Sequence, residues 1–368
     1  MIERVELLIL CLPLVFPFET SFGRINERTI LLIKLYSNGI EGWGEVVSEK
    51  LPQYSYETIE TSWHVLKDIL IPMALKEKEL ESYKFHKIAS QYKGHPMAKA
   101  GFELALWDLE AKKRGISLSK LWGGEKDKIQ AGVSLGIEEK VEFLMNKIEN
   151  FLKKGYQRIK VKIRPGWDVN TVKEIRKYFP EIKLMVDANC SYRIDQIGVL
   201  KKLDNYNLMM IEQPFYENDL WQHAKLQRNI KTPICLDESI KSINEAVAGH
   251  EMGSYKIINM KVGRIGGWIN ANEIHKFAVE KNIPLWCGGM LESGIGRAHN
   301  VHLSSMKQFI LPNDISESRR YFKEDLVNPP FELTNKGTIK VPSSPGIGVK
   351  VEEKFLKKII IRKEIVKI

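Results

Sequence analysis

Residues 158–263 carry RIKVKI (158–163), IKLMVDANC (182–190), LMMIEQP (208–214), PICLDES (233–239) and YKIINMKVG (255–263). Each run is short and rich in aliphatic or β-branched residues, and each is followed by a stretch with helical spacing, the pattern of βα units and a parallel sheet. Working outward, IQAGVSL (129–135) precedes them, and PLWCGGML (284–291) and FILPNDIS (309–316) follow. Eight such runs, at about 25 to 30 residues per repeat, predict an α/β fold with a closed (β/α) barrel. An open doubly wound sheet calls for a phosphate-binding glycine loop after its first strand, and none follows Leu135.

The charged residues of these runs keep the same period. Twenty-five residues separate Lys162 from Asp187, Asp187 from Glu212 and Glu212 from Asp237, and 24 separate Asp237 from Lys261. All five are therefore expected near the C-terminal ends of successive strands, at the mouth of the barrel, where active sites of this fold lie. Any one acidic residue after a strand could simply cap the next helix. Three in register point instead to a cation that relieves their repulsion, and hard carboxylate oxygens suit Mg²⁺ or Mn²⁺.

Alternation along RIKVKI places Lys160 and Lys162 on one face of the strand, inside the barrel, with Lys261 on the far side of the carboxylates. Two amines flanking a metal suit removal of a proton α to a carboxylate. That step leaves a dianionic enediolate, whose charge a metal stabilises where it develops. A lysine base must be partly neutral, and nearby positive charge lowers its pKa from about 10.4. Lys160, the metal and Arg264 are expected to do this for Lys162 and Lys261, although Arg264 could equally partner a carboxylate such as Glu238.

Residues 1–125 start with strand-like segments Arg4 to Leu12 and Thr29 to Tyr36, joined by a loop, PFETSFGRINER (17–28). Helical spacing follows over Thr58 to Ile71 and Ala98 to Arg114, so an α+β unit is expected here. The barrel is expected over 126–325, and the extended, turn-rich GTIKVPSSPGIGVKVEE (337–353) suggests that 326–368 returns to the N-terminal unit. The 368 residues include 43% hydrophobic and 28% charged residues, a globular balance. Net charge is +10, but Lys and Arg are interleaved with Asp and Glu, so a solvated surface is expected and no nucleic-acid partner. The basic tail KFLKKIIIRKEIVKI (354–368) reads as an edge strand or docked tail, with attachment to an anionic membrane surface as the alternative. Four dispersed cysteines, Cys11, Cys190, Cys235 and Cys287, signal neither disulfides nor a zinc site. The apolar run Val5 to Phe18 is broken by Glu6, Pro13 and Pro17 and is too short to span a membrane. No stable membrane insertion is expected, and the location is expected to be cytoplasmic.

The segments MAKAGFELALWDLEAKKRGISLSKLWGG (97–124), RIKVKIRPGWD, VDANCSY, MIEQPF, TPICLDES, NMKVGRIGG and CGGMLESGIGRAHN resemble the enolase superfamily, in its muconate-lactonising branch. Within that branch they are similar to o-succinylbenzoate synthases and N-acylamino acid racemases, over essentially the whole chain. The resemblance implies an α+β capping domain over a modified TIM barrel, (β/α)7β, and a homo-oligomer. It also implies Mg²⁺ on Asp187, Glu212 and Asp237, and Lys162 and Lys261 as the acid/base pair. Dipeptide epimerases carry an Asp-x-Asp pair after the eighth strand where this chain has only Asp314, and mandelate racemase-like enzymes carry a histidine near Trp286, Cys287 and Gly288. For a synthase, the resemblance implies syn dehydration of a succinyl-bearing hydroxycyclohexadiene carboxylate to o-succinylbenzoate in menaquinone synthesis. Lys162 would abstract the proton and assist departure of the hydroxyl. The alternative is racemisation of N-succinylamino acids by both lysines in turn, or both activities in one enzyme. A catalytically silent scaffold would lack a ligand or a lysine, and none is lacking.

By the same resemblance the small-molecule carboxylate substrate is lined by Phe22 and Tyr54 of the capping unit, Ser134, Asn189, Gly289, Met290 and Leu291, with Glu238 and Arg264 in support. Phe22 and Tyr54 could instead be interdomain packing, and Gly289 could serve only a tight turn.

Overall fold

The computed structural model describes residues 2–20 and 23–367. The chain opens with strands β1 (Arg4–Thr20), β2 (Gly23–Ser37) and β3 (Ile40–Val46), then helices α1 (Ile59–Val65), α2 (Ile71–Leu75), α3 (Ser82–Ala89), α4 (Pro96–Lys113) and α5 (Leu118–Trp122). Both faces of β1 are apolar, because each meets a different core. Val5, Leu7 and Ile9 pack with the helices of the capping unit, while Leu8, Leu10 and Leu12 join the barrel core. The expected loop 17–28 is instead largely the end of a long hairpin, paired as far as Thr20 with Gly23. The register shifts between Pro13 and Phe18, where Pro13 and Pro17 bring no N–H to the ladder.

Strand β3, IEGWGEV, was not foreseen, since glycine weakens the strand pattern. Its glycines serve a close approach. A Cβ on Gly44 would stand 2.0 Å from the Gly101 carbonyl oxygen of α4, and one on Gly42 2.3 Å from that of Ala105. The helix expected over Thr58 to Ile71 runs through a π-helical segment, Leu66–Leu70, into α2.

A short strand β4 (Lys128–Gln130) leads into the barrel: β5 (Gly132–Leu135), α6 (Val141–Lys153), β6 (Arg158–Lys162), α7 (Val169–Tyr178), β7 (Leu184–Asp187), α8 (Ile197–Leu203), β8 (Ile211–Glu212), α9 (Leu220–Gln227), β9 (Ile234–Leu236), α10 (Ile243–Met252), β10 (Ile257–Met260), α11 (Trp268–Glu280), β11 (Leu285–Cys287) and α12 (Gly294–Ser304). Strands β5 to β11 lie in chain order in one seven-stranded sheet whose pairings are all parallel. This is the expected α/β architecture with two corrections. The run IQAGVSL divides between β4 and β5. The eighth run, 309–316, forms no regular strand and touches the sheet by isolated bridges at Leu285 with Phe309 and Ala131 with Asn313.

Pro312 deprives that last segment of an N–H, and Asn313 replaces part of the missing ladder. Its backbone donates to Gln130 O and accepts from Gly132 N on one edge. Its side chain Oδ1 accepts from Cys287 N, 2.8 Å away, on the other edge. Asn313→Ala is expected to leave the buried Cys287 N–H unpaired and lower stability by about 1 to 3 kcal/mol, read from the urea midpoint. An unchanged midpoint would show that Asn313 does not hold the closure.

The chain ends with β12 (Val327–Asn328), β13 (Thr338–Lys340), β14 (Lys350–Val351), α13 (Glu353–Ile359) and β15 (Ile360–Lys367). β13 pairs with β4, β14 with β12, and β15 forms the edge of the capping sheet against β1. The basic tail is thus an edge strand, preceded by one short helix.

Candidate active site

The period seen in the sequence becomes a row of side chains at one end of the sheet. Lys162, Asp187 and Glu212 are the last residues of β6, β7 and β8, and Asp237 and Lys261 directly follow β9 and β10. Lys162 is level with Asp187, and Asp187 with Glu212, as direct strand partners. All five are buried, as is Lys160.

Each amine grips a carboxylate. Lys162 Nζ lies 2.7 Å from Asp187 Oδ2 and 2.5 Å from Asn189 Oδ1. Lys261 Nζ lies 2.8 Å from Asp237 Oδ2 and 3.2 Å from the Tyr54 hydroxyl. Lys160 Nζ reaches Asp187 and Glu212, each at 3.2 Å, and Asp314 at 2.9 Å. Lys162 and Lys261 thus stand at the two ends of the acidic row. Among the described residues, no three acidic, His or Cys side chains converge closely enough to enclose a metal position, and Asp187, Glu212 and Asp237 are each paired with a cation.

Charge balance in this arrangement differs from expectation. Burial works against the Lys261 ammonium, but Asp237, Tyr54 and Glu238 together outweigh it and hold the amine above the usual lysine range. Lys160 is likewise held well above that range by Asp314, Glu212 and Asp187 against the effect of burial. The lowering expected from neighbouring positive charge is overridden here by direct carboxylate contacts. The acids respond unequally: burial is outweighed at Asp187 by Lys162 and Lys160, and at Asp237 by Lys261 and Arg264, so both titrate low. Burial and the Asp187 charge push Glu212 up to about 7, and burial with Asp237 pushes Glu238 up to about 8.

Asn189, in the left-handed region at φ 42°, orients this network. It accepts from Lys162, and its Nδ2 donates to Glu238 Oε1 at 3.0 Å. Arg264 does not partner Glu238. Its Nη1 pairs with Asp237, its Nε donates to Ile240 O and its Nη2 to Asn259 O. Tyr54 is more than interdomain packing, since its hydroxyl donates to Asp237 Oδ1 at 3.0 Å.

A cavity of about 90 Å³ lies over the lysines, lined by Lys160, Lys162, Lys261, Tyr54, Ser134, Asn189, Gly289, Met290 and Leu291. Every expected pocket residue among those described is present, while Phe22 falls outside the described residues. Gly289 serves a close approach, since a Cβ there would meet the Asp314 carbonyl oxygen at 2.6 Å. Phe18, Tyr321 and Asp314 also line the cavity and were not foreseen in it. Ser134 Oγ donates to Asp314 Oδ2 at 2.6 Å, so Asp314 ties the closing segment to Lys160. Asn259 was also missed, although N-x-K in NMKV repeats the inward spacing of K-x-K. Its Nδ2 donates to Glu212 Oε1 at 2.7 Å.

Residues 144–355 match the family description "Enolase C-terminal domain-like", and residues 4–123 match "Mandelate racemase / muconate lactonizing enzyme, N-terminal domain". The chain belongs to the enolase superfamily. Within the superfamily it is 45% identical, over 354 residues, to an o-succinylbenzoate synthase of Geobacillus stearothermophilus, covering 96% of this chain and 94% of that protein. It is 43% identical, over 360 residues, to an N-succinylamino acid racemase of Thermus thermophilus, covering 98% and 97%. A crystal structure of an enolase superfamily member from Listeria innocua superposes with a TM-score of 0.95 at 41% identity, over 100% of this chain and 99% of that one.

Proposed function

We propose that this enolase superfamily member is an o-succinylbenzoate synthase, removing a proton α to a carboxylate with Lys162 as base. The observation that carries the reading is the placement of Lys162 and Lys261 at opposite ends of one buried acidic row, both facing the same small cavity. The names of relatives matched along nearly the whole chain support it.

A divalent cation, Mg²⁺ or Mn²⁺, fits the donor set of three buried carboxylates, where burial and mutual repulsion raise Glu212. Asp187, Glu212 and Asp237 would hold it, and when bound it would supply positive charge to the substrate carboxylate as the α proton leaves. Lys162 has two N–H groups engaged, by Asp187 and Asn189, which leaves one position of its nitrogen for the cavity. In the neutral amine that position is the lone pair, and it takes the α proton. The resulting ammonium returns a proton to the hydroxyl leaving from the same face, so water departs and the ring becomes aromatic. Lys261, kept cationic by Asp237, faces the developing negative charge from the other end.

The second reading is racemisation of N-succinylamino acids, favoured by the racemase among the relatives and by the proton that Lys261 already carries. There Lys162 takes the proton and Lys261 gives one to the opposite face. Menaquinone synthesis, a cytoplasmic location and a homo-oligomeric state belong to the same proposal. No helix among the described residues is long and apolar enough to cross a membrane.

The deciding experiment compares kcat/KM for the cyclohexadiene substrate and for an N-succinylamino acid, with Mg²⁺ and with Mn²⁺. Lys261→Arg is expected to retain part of the dehydration and to lose racemisation by about 100-fold or more, since a guanidinium stays charged and exchanges no proton. Equal loss of both activities would remove the distinction drawn between the two lysines.

A further inference from the structure

The cavity over the lysines opens beside a larger groove of about 820 Å³, between the hairpin end of β1 and helix α6, and Phe18 lines both. Two chain segments pass from one space to the other. Ser134 faces the inner cavity and Leu135 the groove, while Tyr321 faces the inner cavity and Arg320 the groove. Arg320 therefore sits at the seam.

Its side chain is held in place and only partly satisfied. The guanidinium carbon stands 4.9 Å from the Phe151 ring centroid and 5.1 Å from that of Tyr321. Nη2 donates to Ser134 O at 3.3 Å, and Nε is buried with no hydrogen-bond partner among the described residues. A guanidinium stacked between rings, with an N–H left over, is pre-set to receive a planar anion.

Most of the other cations nearby are already engaged. Inside, Lys160, Lys162, Lys261 and Arg264 each pair with a carboxylate of the site. In the groove, Lys147 pairs with Glu138 and Lys154 with Glu317. Arg24 and Arg320 are opposed by Glu19 and Glu139 along the same walls, so the groove as a whole has little excess charge. Recognition of an anion there is local to Arg320.

We propose that Arg320 is a specificity-determining residue, which receives the second, non-reacting carboxylate of a succinyl-bearing substrate at the seam between the inner cavity and the groove. The inference rests on the reading above that the substrate carries a succinyl group, which both named activities share. The reacting carboxylate enters the inner cavity, the methylene pair of the succinyl chain lies against Phe18 and Tyr321, and the distal carboxylate ends on the guanidinium.

The test uses the N-succinyl, N-butanoyl and N-succinamoyl derivatives of one amino acid, which share chain length but differ in the charge of the distal end. In Arg320→Gln the ratio of kcat/KM for the N-succinyl over the N-butanoyl substrate is expected to fall roughly tenfold or more, mainly through KM, with a smaller fall in Arg320→Lys. A purely structural role lowers both substrates alike and leaves the ratio in place, which would overturn the proposal. Calorimetric binding to the wild type needs no variant: the N-succinyl compound is expected to bind roughly tenfold or more tightly than its N-succinamoyl amide, and equal affinity overturns the proposal. Should the wild type bind with this preference yet turn over neither the cyclohexadiene substrate nor the N-succinylamino acid, the function proposed above fails while the role of Arg320 stands.

Discussion

Lys162→Ala is expected to lower kcat by roughly 10² to 10⁴-fold, and to abolish exchange of the substrate's α proton with solvent deuterium. Positioned general bases contribute roughly 10² to 10⁴ to rate, and Lys162 serves in both the dehydration and the racemisation readings, so both activities should fall together. The fold should survive. Asp187 keeps Lys160 at 3.2 Å, and Asn189 keeps its hydrogen bond to Glu238. An unchanged thermal midpoint with lost exchange would therefore locate the defect in proton transfer. Turnover within tenfold of the wild type would remove Lys162 from the mechanism.

Asp237→Asn is expected to act twice. Asp237 is fully buried and compensates two buried cations, Lys261 and Arg264, while also accepting from Tyr54. Taking away one partner of such a cluster leaves uncompensated charge, at a cost of about 3 kcal/mol or more, so the thermal midpoint should drop. Activity should also be lost, because an amide is a poorer ligand for a hard divalent cation than a carboxylate. Chelation separates the two effects. EDTA treatment of the wild type should remove activity, and added Mg²⁺ or Mn²⁺ should restore it, whereas Asp237→Asn should remain inactive at high metal concentration. Near-normal turnover in the variant, or full activity in EDTA, would refute the proposed role of this carboxylate row.

These two residues also show how far local pattern reaches. Lys162 and Asp237 were legible because a βα unit has a nearly constant length, so a 25-residue period in the chain is a position at the end of successive strands. Lys160 followed from period-two alternation on β6, and Asn259 was available to the same argument on β10 but was overlooked. Strand β3 escaped because Gly42 and Gly44 weaken strand character, and their purpose is visible only against α4.

What the sequence by itself determined is the repeat, the barrel class, and the strand-end or inward positions of three acids and three lysines, while most of the cavity wall came from the family resemblance. Only the tertiary structure decided how the eighth segment closes the sheet through Asn313, that Arg264 serves Asp237 rather than Glu238, and that Asp314 reaches Lys160 and Ser134. It also decided that direct carboxylate contacts hold Lys160 and Lys261 above the usual lysine range. Alternation and repeat length are local properties carried by neighbours in the chain. Ion pairing, desolvation and closure join residues 180 or more positions apart, such as Ser134 with Asp314 and Tyr54 with Lys261, and depend on where the folded chain brings them.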